Sequence, residues 1–476
     1  MTSIASTMCM QRDELPNCSV LVDKHKNISP RIFLNKQNNN NMGNRQARRE
    51  SSNSDSQREP TLQDLQDIQI RRIFERSASA SLSGSLDFTH VYSFGQCDKA
   101  QSGRGEFKEG NTEIMPFGAI TELHREATNQ LSEKERNELD SNVLLDVKCV
   151  AAGRSHFLLV TNSNKLFSLG YNNYSQCGVP SDEEYITRLR EVKIPNISSV
   201  DLVAAGWFHS IVVCDKNKIF AAGHCYFDQT FDVKVEGGFS KSNRLDFLQR
   251  DNSRVSSASA STFSSSLLVD GWKIYACGEM NANANSNYLV PGCEVFKNNP
   301  LKTYKHSDKG LVALTESGLV YFADKAGPFR IIMQDITTIT PSHMYDTTFF
   351  LKDKETSLTE CTLGPMNIRS NVMVSALVEK YGAENIQIFC GYCFYYLVVN
   401  KKKLFSIQGN ELNEIFDLDG INTHVNIKDV IASSDCSYVI FERVKSTASE
   451  TLMKTRLLQN AHSDLVIITQ ADELYL

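Results

Sequence analysis

The sequence predicts an all-β fold built from repeated small sheets, and three observations lead to this prediction. A segment of 21 residues occurs twice, as VAAGRSHFLLVTNSNKLFSLG at 150–170 and VAAGWFHSIVVCDKNKIFAAG at 203–223, with ten aligned residues identical. Each copy holds two short runs rich in β-branched and aromatic residues around a polar turn, which is typical of a β-hairpin. Related segments recur at intervals of roughly 40 to 55 residues, the length of one propeller blade.

The number of copies predicts the number of blades. The end of the segment is repeated as HVYSFG (90–95), KIYACG (273–278), GLVYFAD (318–324) and KLFSIQG (403–409). The VAAG-like positions are Gly153, Gly206, Thr262, Ser307, Met344, Gly391 and Ser433. Small residues there allow inner strands to converge on a central axis. We therefore predict a seven-bladed β-propeller over residues 88–476, with about four strands in each blade.

The closing blade is predicted to join both ends of the propeller. The segment VIASSDCSYVI (430–440) would pair with HVYSFG, because joining the termini in one sheet removes an exposed edge. The tail DLVIITQADELYL (464–476) also has the pattern of repeat strands and competes for the same place. The sequence leaves open which of the two segments closes the ring.

Residues 166–209 carry the most detailed repeat, LFSLGYNNYSQCGV followed by VKIPNISSVDLVAAGWFH. This pattern resembles the regulator of chromosome condensation repeat family, whose blades run V-Y-x-W-G-x-N-x-x-G-Q-L-G and then V-A-A-G-x-x-H. WD-type and kelch blades fit less well, because the chain has only Trp207 and Trp272 and a single glycine pair, Gly237-Gly238. The resemblance implies a propeller, and the family's founding member exchanges guanine nucleotides on a small GTPase.

The chain departs from that family in the segments that would carry its activity. The G-Q-L-G motif remains only as Ser175-Gln176-Cys177-Gly178, and no exchange loop can be placed, so no functional residue is carried over. The recurring residues are interpreted as structural, and they are Gly153, His156, Gly170, Gly206, His209, Gly223, Gly278, Gly391 and Gly409. The resemblance implies that the two histidines belong to the internal hydrogen bonding of their own blades. Other blades place Ser265, Gly310, Thr347, Phe394 and Cys436 at that position.

Residues 1–87 are predicted to form a disordered Ser/Asn-rich arm, because stretches such as NKQNNNNMGN are polar and low in complexity. Within the arm, TLQDLQDIQIRRIFER (61–76) can form a short helix that docks on the propeller or on a partner. Ser51 and Ser79 follow arginines in RRES and RSAS and are candidate phosphorylation sites. A second helix is predicted in an insert near 119–142, where Ser132 and Glu135 have capping-box spacing.

The search for chemistry in the sequence predicts no cofactor, no metal and no catalysis. Cys390 and Cys393 have zinc-site spacing, but no second pair exists, so a structural role is favoured. The glycine-rich stretch Ser102–Gly105 follows a strand but lacks the GK[ST] of a phosphate-binding loop. No HExxH and no Ser/His/Asp arrangement is present. We therefore expect a protein that is not an enzyme.

The function predicted from the sequence is a protein-interaction scaffold or adaptor that binds one or more proteins. The alternative is guanine-nucleotide exchange on a small GTPase, and a third hypothesis is an adaptor similar to the propeller partner of tRNA- and diphthamide-modification factors. A net charge of −6 and an almost neutral arm argue against direct nucleic-acid binding. The longest apolar run is too short for membrane insertion. We expect an intracellular protein, in the cytoplasm rather than the nucleus.

Overall fold

A computed structural model describes most of the chain after residue 90. The described residues are 91–105, 114–123, 132–134, 146–180, 182–231, 237–280, 288–325, 327–341, 347–352, 358–363, 367–370, 372–390, 395–408, 411–419, 425–433 and 436–443. All of them belong to one unit, Pro60–Leu476. The arm 1–87 with its helix and its serines, most of the insert 119–142, the tail 464–476, Gly391 and Gly409 lie outside the described residues. Those predictions remain untested.

The described strands form seven antiparallel sheets, which we number in chain order of their inner strands. Sheet I contains β3 (Val147–Ala152), β4 (His156–Thr161), β5 (Leu166–Tyr171) and β6 (Tyr185–Val192). Sheet II contains β7 (Val200–Ala205), β8 (His209–Cys214), β9 (Lys218–Gly223) and β10 (Ser240–Lys241). Sheet III contains β11 (Val255–Ala260), β12 (Ser264–Val269) and β13 (Lys273–Gly278). Sheet IV contains β14 (Leu301–Ser307), β15 (Gly310–Thr315), β16 (Val320–Asp324) and β17 (Arg330–Met333).

The remaining sheets follow the same order. Sheet V contains β18 (Ile336–Pro341), β19 (Thr347–Lys352), β20 (Leu358–Thr362) and β21 (Asn367–Ser370). Sheet VI contains β22 (Ile386–Cys390), β23 (Tyr395–Val399), β24 (Lys403–Gln408) and β25 (Glu411–Asp417). Sheet VII contains β26 (Val425–Ala432), β27 (Cys436–Arg443), β1 (Val91–Gln96) and β2 (Ile114–Ala119). The described segments between strands include the α-helices α1 (Phe247–Arg250) and α2 (Val372–Tyr381) and the 3₁₀ turns Cys293–Lys297 and Ala383–Asn385.

The sheets are arranged around a central axis as a β-propeller, which confirms the predicted fold class. The inner strands contact one another in the order β3, β7, β11, β14, β18, β22, β26 and back to β3. Sheet VII is closed by the N-terminal strand, because β1 pairs with β27 from Val91 opposite Ile440 to Gly95 opposite Cys436. The predicted pairing of VIASSDCSYVI with HVYSFG is therefore confirmed.

Six of the sheets are complete four-stranded blades, so the prediction of seven such blades is wrong. Among the described residues, the fourth strand of sheet III amounts to one bridge between Tyr275 and Leu289. Hydrogen bonds from Ala276 N to Tyr288 O and from Val290 N to Ile274 O, both 2.8 Å, flank it. Pro291 follows directly, and because proline has no N–H group it cannot continue the ladder.

The predicted register of the third repeat was also wrong by one residue. Gly153 N and Gly206 N donate to the carbonyl oxygens of His156 and His209, and the equivalent bond in sheet III runs from Ser261 N to Ser264 O, each 2.9 Å. Ser261 rather than Thr262 therefore occupies the VAAG glycine position, and Ser264 rather than Ser265 the histidine position. The segment SASTFSSS consists mainly of small polar residues, and its one large side chain, Phe263, lies in the turn between the strands and does not mark their register.

The core lies between the sheets rather than within any one of them. One buried cluster combines Val91 and Tyr438 of sheet VII with Phe157 and Leu159 of sheet I and Val212 of sheet II. The rings of Phe157 and Tyr438 stack at 4.1 Å between centroids across the seam where the ring closes. Each blade thus buries its apolar faces against its two neighbours. Among the described residues, no helix has both the length and the apolar content needed to cross a membrane.

Candidate interaction surface

Three loops of the same construction lie at one face of sheets VII, I and II, where strands β1, β5 and β9 end. Each loop contains a buried glutamine whose side-chain oxygen accepts a hydrogen bond from the backbone N–H two residues earlier. These bonds run from Lys99 N to Gln101 (2.7 Å), from Tyr174 N to Gln176 (2.9 Å) and from Phe227 N to Gln229 (2.8 Å). The intervening residues, Ala100, Ser175 and Asp228, all have positive φ. The tips of the three loops are thereby fixed in equivalent positions.

Sequence reasoning found only the loop containing Gln176. The other two glutamines stand at the same distance from a repeat glycine, six residues after Gly95 and Gly223, and this spacing could have revealed them. The loop containing Gln101 also explains the glycine-rich stretch. Gly103 has a φ of +68°, and an added Cβ would lie 2.5 Å from Leu169 Cδ2, so this glycine serves close packing.

The turns that join the first two strands of sheets I, II and III stack against one another at the same face. An added Cβ on Gly153 would lie 2.2 Å from Gly206 O, and one on Gly206 would lie 2.4 Å from Ser261 O. Arg154 N donates to Gly206 O (3.3 Å), and Trp207 N donates to Thr262 O (3.4 Å). The stacking requires glycine at the two repeat positions and brings the side chains that follow them, including Trp207, into one row.

These loops and turns together form a continuous group of aromatic side chains, which we call the aromatic surface. Its members are Tyr171, Tyr174, Tyr185, Trp207, Phe208, His224, Tyr226, Phe227 and Phe263. Seven of the rings make a closed circuit of contacts, in the order Tyr174, His224, Tyr226, Phe227, Phe263, Trp207, Phe208 and back to Tyr174. Their centroid distances run from 4.8 Å to 6.2 Å.

Part of the aromatic surface faces solvent. Tyr226 is 81% exposed, Tyr174 40% and Phe227 38%, while the other rings are partly buried beneath and beside them. The sequence contains a signal for this surface. Turns are ordinarily polar, whereas these carry the aromatic pairs Trp207-Phe208 and Tyr226-Phe227. Repeat matching concentrated on the positions that the copies share and missed these residues.

Two cations lie over the rings. The guanidinium carbon of Arg154 is 4.6 Å from the centroid of Trp207 and 5.8 Å from that of Phe208. Lys99 Nζ is 5.5 Å from the centroid of Tyr171 and 5.7 Å from that of Tyr185. Such cation–π contacts hold the charged groups against the rings. Burial lowers the pKa of His224, so this imidazole adds no positive charge at neutral pH.

The repeat histidines lie beneath this face and join neighbouring blades. His156 Nε2 and Ser210 Oγ are 2.8 Å apart, as are His209 Nε2 and Ser265 Oγ. Ser210 Oγ itself donates to Gln176 O at 2.7 Å, so the proton between His156 and Ser210 belongs to the imidazole. Burial lowers the pKa of each histidine to about 3. The predicted bonding within the histidine's own blade is corrected, because its partner is the serine of the next blade.

The other residues predicted from the sequence also take framework positions. Gly170, Gly223 and Gly278 have φ values of +103°, +99° and +84°. An added Cβ at each would meet a carbonyl oxygen of the turn that joins the first two strands of the same sheet. Cys390 Sγ donates to Thr340 O at 2.7 Å, while Cys393 lies outside the described residues. In the part of the chain that the structure describes, no group of three His, Cys, Asp or Glu side chains is placed to hold a metal ion.

A second feature is a central channel of about 920 Å³, lined by the inner strands of all seven sheets and bordered at one mouth by residues after α2. Lys305 on β14 and Asp429 on β26 line it. Solvent reaches the Lys305 side chain inside the channel, yet enclosure by the strands lowers its pKa and raises that of Asp429. Glu379 and Glu384 also line the channel, so three acidic residues and one lysine face it.

Comparisons with known proteins agree with this architecture. The family model described as "Regulator of chromosome condensation (RCC1) repeat" matches residues 147–176. The guanine nucleotide exchange factor SRM1 of Saccharomyces cerevisiae is 30% identical over 111 residues, 23% of this chain and 22% of that protein. The mouse X-linked retinitis pigmentosa GTPase regulator is 29% identical over 147 residues, 30% of this chain and 14% of that protein. The chain thus spans less than a quarter of the length of these relatives.

Two solved structures share the fold. Human WBSCR16 superposes with a TM-score of 0.52 at 14% identity, covering 74% of this chain and 99% of that one. Prp20p of Saccharomyces cerevisiae, whose structure was determined together with its binding properties to Gsp1p and histones, gives a TM-score of 0.52 at 12% identity, covering 78% and 95%. At these identities the likeness concerns the fold. The repeat match at residues 147–176 confirms the resemblance to the regulator of chromosome condensation repeat, and the solved structures share the propeller fold.

Proposed function

We propose that this propeller is a non-catalytic adaptor that binds a partner protein through the aromatic surface. The observation that supports the proposal is the closed circuit of seven rings carried on loops that are fixed by buried glutamines. Clustered aromatic side chains with a neighbouring arginine are the residue types that contribute most to protein–protein binding. Because the loops are held in place before binding, little conformational entropy is lost when a partner docks.

The proposed surface needs a rigid ring beneath it. We propose that sheet III, although it has three strands, acts as the seventh blade of this ring. Its inner strand β11 contacts β7 on one side and β14 on the other, and its turn supplies Phe263 to the aromatic surface.

Guanine-nucleotide exchange on a small GTPase is the alternative function. Its support is the sequence match to SRM1, which is named as an exchange factor, and the likeness to Prp20p, which was studied with Gsp1p. Exchange would also use a protein-binding surface, so the two functions differ in what happens to the bound nucleotide.

Substitution of the exposed rings tests the adaptor proposal. Full-length protein and the Tyr226→Ser/Phe227→Ser variant would each be used for quantitative affinity purification. Ile331→Ser is the matched control, because Ile331 is 56% exposed on sheet IV and lies outside the aromatic surface. We expect partners that the control retains to be depleted at least tenfold by the double variant. Equal recovery with all three proteins would refute the proposal.

Nucleotide release separates the two functions. Purified protein would be added to a panel of small GTPases loaded with a fluorescent GDP analogue. The adaptor function predicts release at the intrinsic rate for every GTPase. Acceleration on one of them that is lost in the Tyr226→Ser/Phe227→Ser variant would instead establish exchange through the same surface.

A further inference from the structure

We propose that the central channel binds a small ligand that carries a carboxylate together with cationic groups, either a basic amino acid or the C-terminal residue of a basic peptide. The channel volume of about 920 Å³ lies within the range of small-molecule sites, roughly 300–1,000 Å³. The site lies near the mouth bordered by α2 and the 3₁₀ turn Ala383–Asn385, where the inner strands begin. The aromatic surface lies where these strands end, so the inference is independent of the proposed function.

One wall of the channel is polar. Sheets I, II and III line the channel mainly with small apolar residues, at 150–152, 203–205 and 258–260. Sheets IV to VII add side chains with charged or hydrogen-bonding groups, and these are Thr303, Lys305, Thr338, Gln387 and Asp429. The propeller itself does not require these polar groups, since the apolar wall is built from equivalent strands without them.

The polar side chains lie close together along this wall. Thr303, Thr338 and Asp429 each directly follow the residue at which the register of their inner strand shifts, so they stand at one level. Gln387 is the second residue of β22, the inner strand between β18 and β26. Lys305 follows Thr303 by two residues, which places it on the same face of β14 and roughly 7 Å further from the mouth.

Most of these polar groups do not hold the sheets together. Among the described residues, no hydrogen bond or ion pair within the chain involves the side chains of Thr303, Lys305, Thr338 or Gln387. Each of these residues is at least partly exposed, and on an inner strand that lines the channel the exposure is to the channel. The four side chains are therefore available to a ligand that enters it.

Lys305 and Asp429 are opposite charges that remain apart. In the described part of the chain no ion pair joins them, and Asp429 Oδ1 instead accepts from Val430 N at 2.8 Å. Enclosure by the strands lowers the pKa of Lys305, which the charge of Asp429 offsets only in part, and enclosure raises the pKa of Asp429. Each group would therefore be stabilised by an opposite charge placed beside it. A ligand carboxylate at Lys305 and a ligand ammonium or guanidinium group at Asp429 meet both requirements.

Two further carboxylates set the overall sign of the ligand. Glu379 of α2 and Glu384 of the 3₁₀ turn are exposed and line the channel at its mouth. With Asp429, three carboxylates face one lysine, and a mouth of one sign attracts ligands of the opposite sign. A basic amino acid matches this arrangement, because it has two cationic groups and one carboxylate. A polyamine would leave Lys305 without an opposite charge, and a dicarboxylate would be repelled at the mouth.

Isothermal titration calorimetry with the full-length protein tests the proposal. L-Arginine is the probe, and L-argininamide and spermidine are the comparison compounds, since both are cationic but lack a carboxylate. We expect L-arginine to bind at least tenfold more tightly than either of them. The tripeptide Gly-Gly-Arg separates the two sources of the ligand. Tighter binding than that of L-arginine would identify a peptide C-terminus, and weaker binding a free amino acid.

Variants assign the contacts. Lys305→Met keeps most of the aliphatic stem, removes the charge and should lower the affinity for L-arginine at least tenfold, whereas Lys305→Arg should retain binding. Lys193→Met, an exposed lysine just beyond β6, is the matched control and should bind as wild type does. Asp429→Asn should weaken the binding of L-arginine and L-argininamide alike. Melting temperatures of the variants check that each is folded.

Several outcomes would overturn the proposal. Among these are the absence of binding by every probe, equal affinity for L-argininamide and L-arginine, and equal affinity of wild type and Lys305→Met for L-arginine. Spermidine that binds more tightly than L-arginine would replace the proposed ligand by a polyamine. The comparison of probes uses wild-type protein and does not depend on the folding of any variant. The variant Tyr226→Ser/Phe227→Ser should bind L-arginine unchanged, so failure of the adaptor proposal would leave the channel site intact.

Discussion

At the scale of single residues, His156 and His209 are buried as neutral imidazoles that connect one blade to the next. Each shares a hydrogen bond of 2.8 Å with a serine of the following sheet. Protonation would place an uncompensated charge between blades, and for this reason burial lowers both pKa values to about 3. The histidines are therefore a source of acid sensitivity in the ring.

The sign of the effect follows from proton linkage. Between the ordinary histidine pKa of 6.5 and the folded-state value of about 3, the unfolded chain binds more protons than the folded one. We expect the free energy of unfolding to fall on acidification through this range, by roughly 1 kcal/mol per pH unit for each histidine. Above pH 6.5 the two histidines are neutral in both the folded and the unfolded state, so the free energy of unfolding has its full value there.

Urea unfolding at pH 7.0 and pH 5.0 measures this dependence. The variant His156→Gln/His209→Gln cannot titrate in this range, so its loss of stability between the two pH values should be smaller than that of wild type. Equal losses in the two proteins would show that other groups cause the acid sensitivity.

At position 206, steric contact alone requires glycine. Its φ lies outside the left-handed range, but an added Cβ would lie 2.1 Å from His209 Cε1 and 2.4 Å from Ser261 O. We expect Gly206→Ala to lower the free energy of unfolding by about 1–3 kcal/mol through this overlap. Gly327→Ala is the control, since its φ also lies outside the left-handed range and an added Cβ there meets only the movable carboxylate of Asp324. A smaller loss in Gly206→Ala than in the control would contradict the stacked-turn explanation.

At the scale of elements, the hairpins were predictable and the details of their pairing were not. LLVT and KLFSL carry the strand pattern in their own residues, whereas a bulge depends on how two strands meet. In β3, β7, β11, β14, β18 and β26 the register shifts by one residue near the start of the strand. Three of the skipped residues are lysines, Lys148, Lys302 and Lys428.

These three lysines bridge neighbouring inner strands. Lys148 Nζ donates to Val200 O, Lys302 Nζ to Thr337 O and Lys428 Nζ to Val147 O, at 2.8 Å, 2.8 Å and 2.9 Å. Each bond links a bulge to the next sheet, and the last one crosses the seam between sheets VII and I. Side chains along a strand normally alternate between its two faces. The bulge interrupts this alternation, so that the lysine side chain points toward the adjacent blade.

Lys428→Met tests the contribution of such a bridge, because methionine keeps most of the aliphatic stem and removes the donor. We expect a loss of about 1 kcal/mol in the free energy of unfolding, the usual range for one partly exposed hydrogen bond. Lys193→Met, an exposed lysine outside the inner strands, should be neutral. Chemical denaturation of both variants beside wild type gives the comparison, and equal stability of all three would mean that the bridge contributes nothing.

The aromatic surface could be predicted only in part for a related reason. Its residues are visible in the sequence as aromatic pairs inside turns, but their assembly into one surface depends on the stacking of three blades. Tyr174 and Tyr226 are 52 residues apart in the chain, yet both touch His224. A repeat alignment identifies what copies share, whereas this surface is made of residues in which the copies differ.

At the scale of the whole molecule, the ring is held together where its two ends meet. Strand β1 pairs with β27, and Tyr438 OH donates to Gln101 O at 2.6 Å while its ring stacks on Phe157 of sheet I. The first described strand is therefore joined to the last sheet and, through it, to the first complete blade. Stability should depend on this seam more than on any outer strand.

Removal of β1 tests how far the ring depends on its closure. A chain lacking residues 1–96 would leave β27 with an unpaired edge, which is a template for association with other chains. We expect a lower melting temperature and oligomers in light scattering, whereas a chain lacking only residues 1–87 keeps β1 and serves as the control. Because each sheet buries its faces against two neighbours, loss of the seam should also make unfolding less cooperative, as in open repeat arrays. A monomer with the melting temperature of the control would show that the remaining sheets are stable without a closed ring.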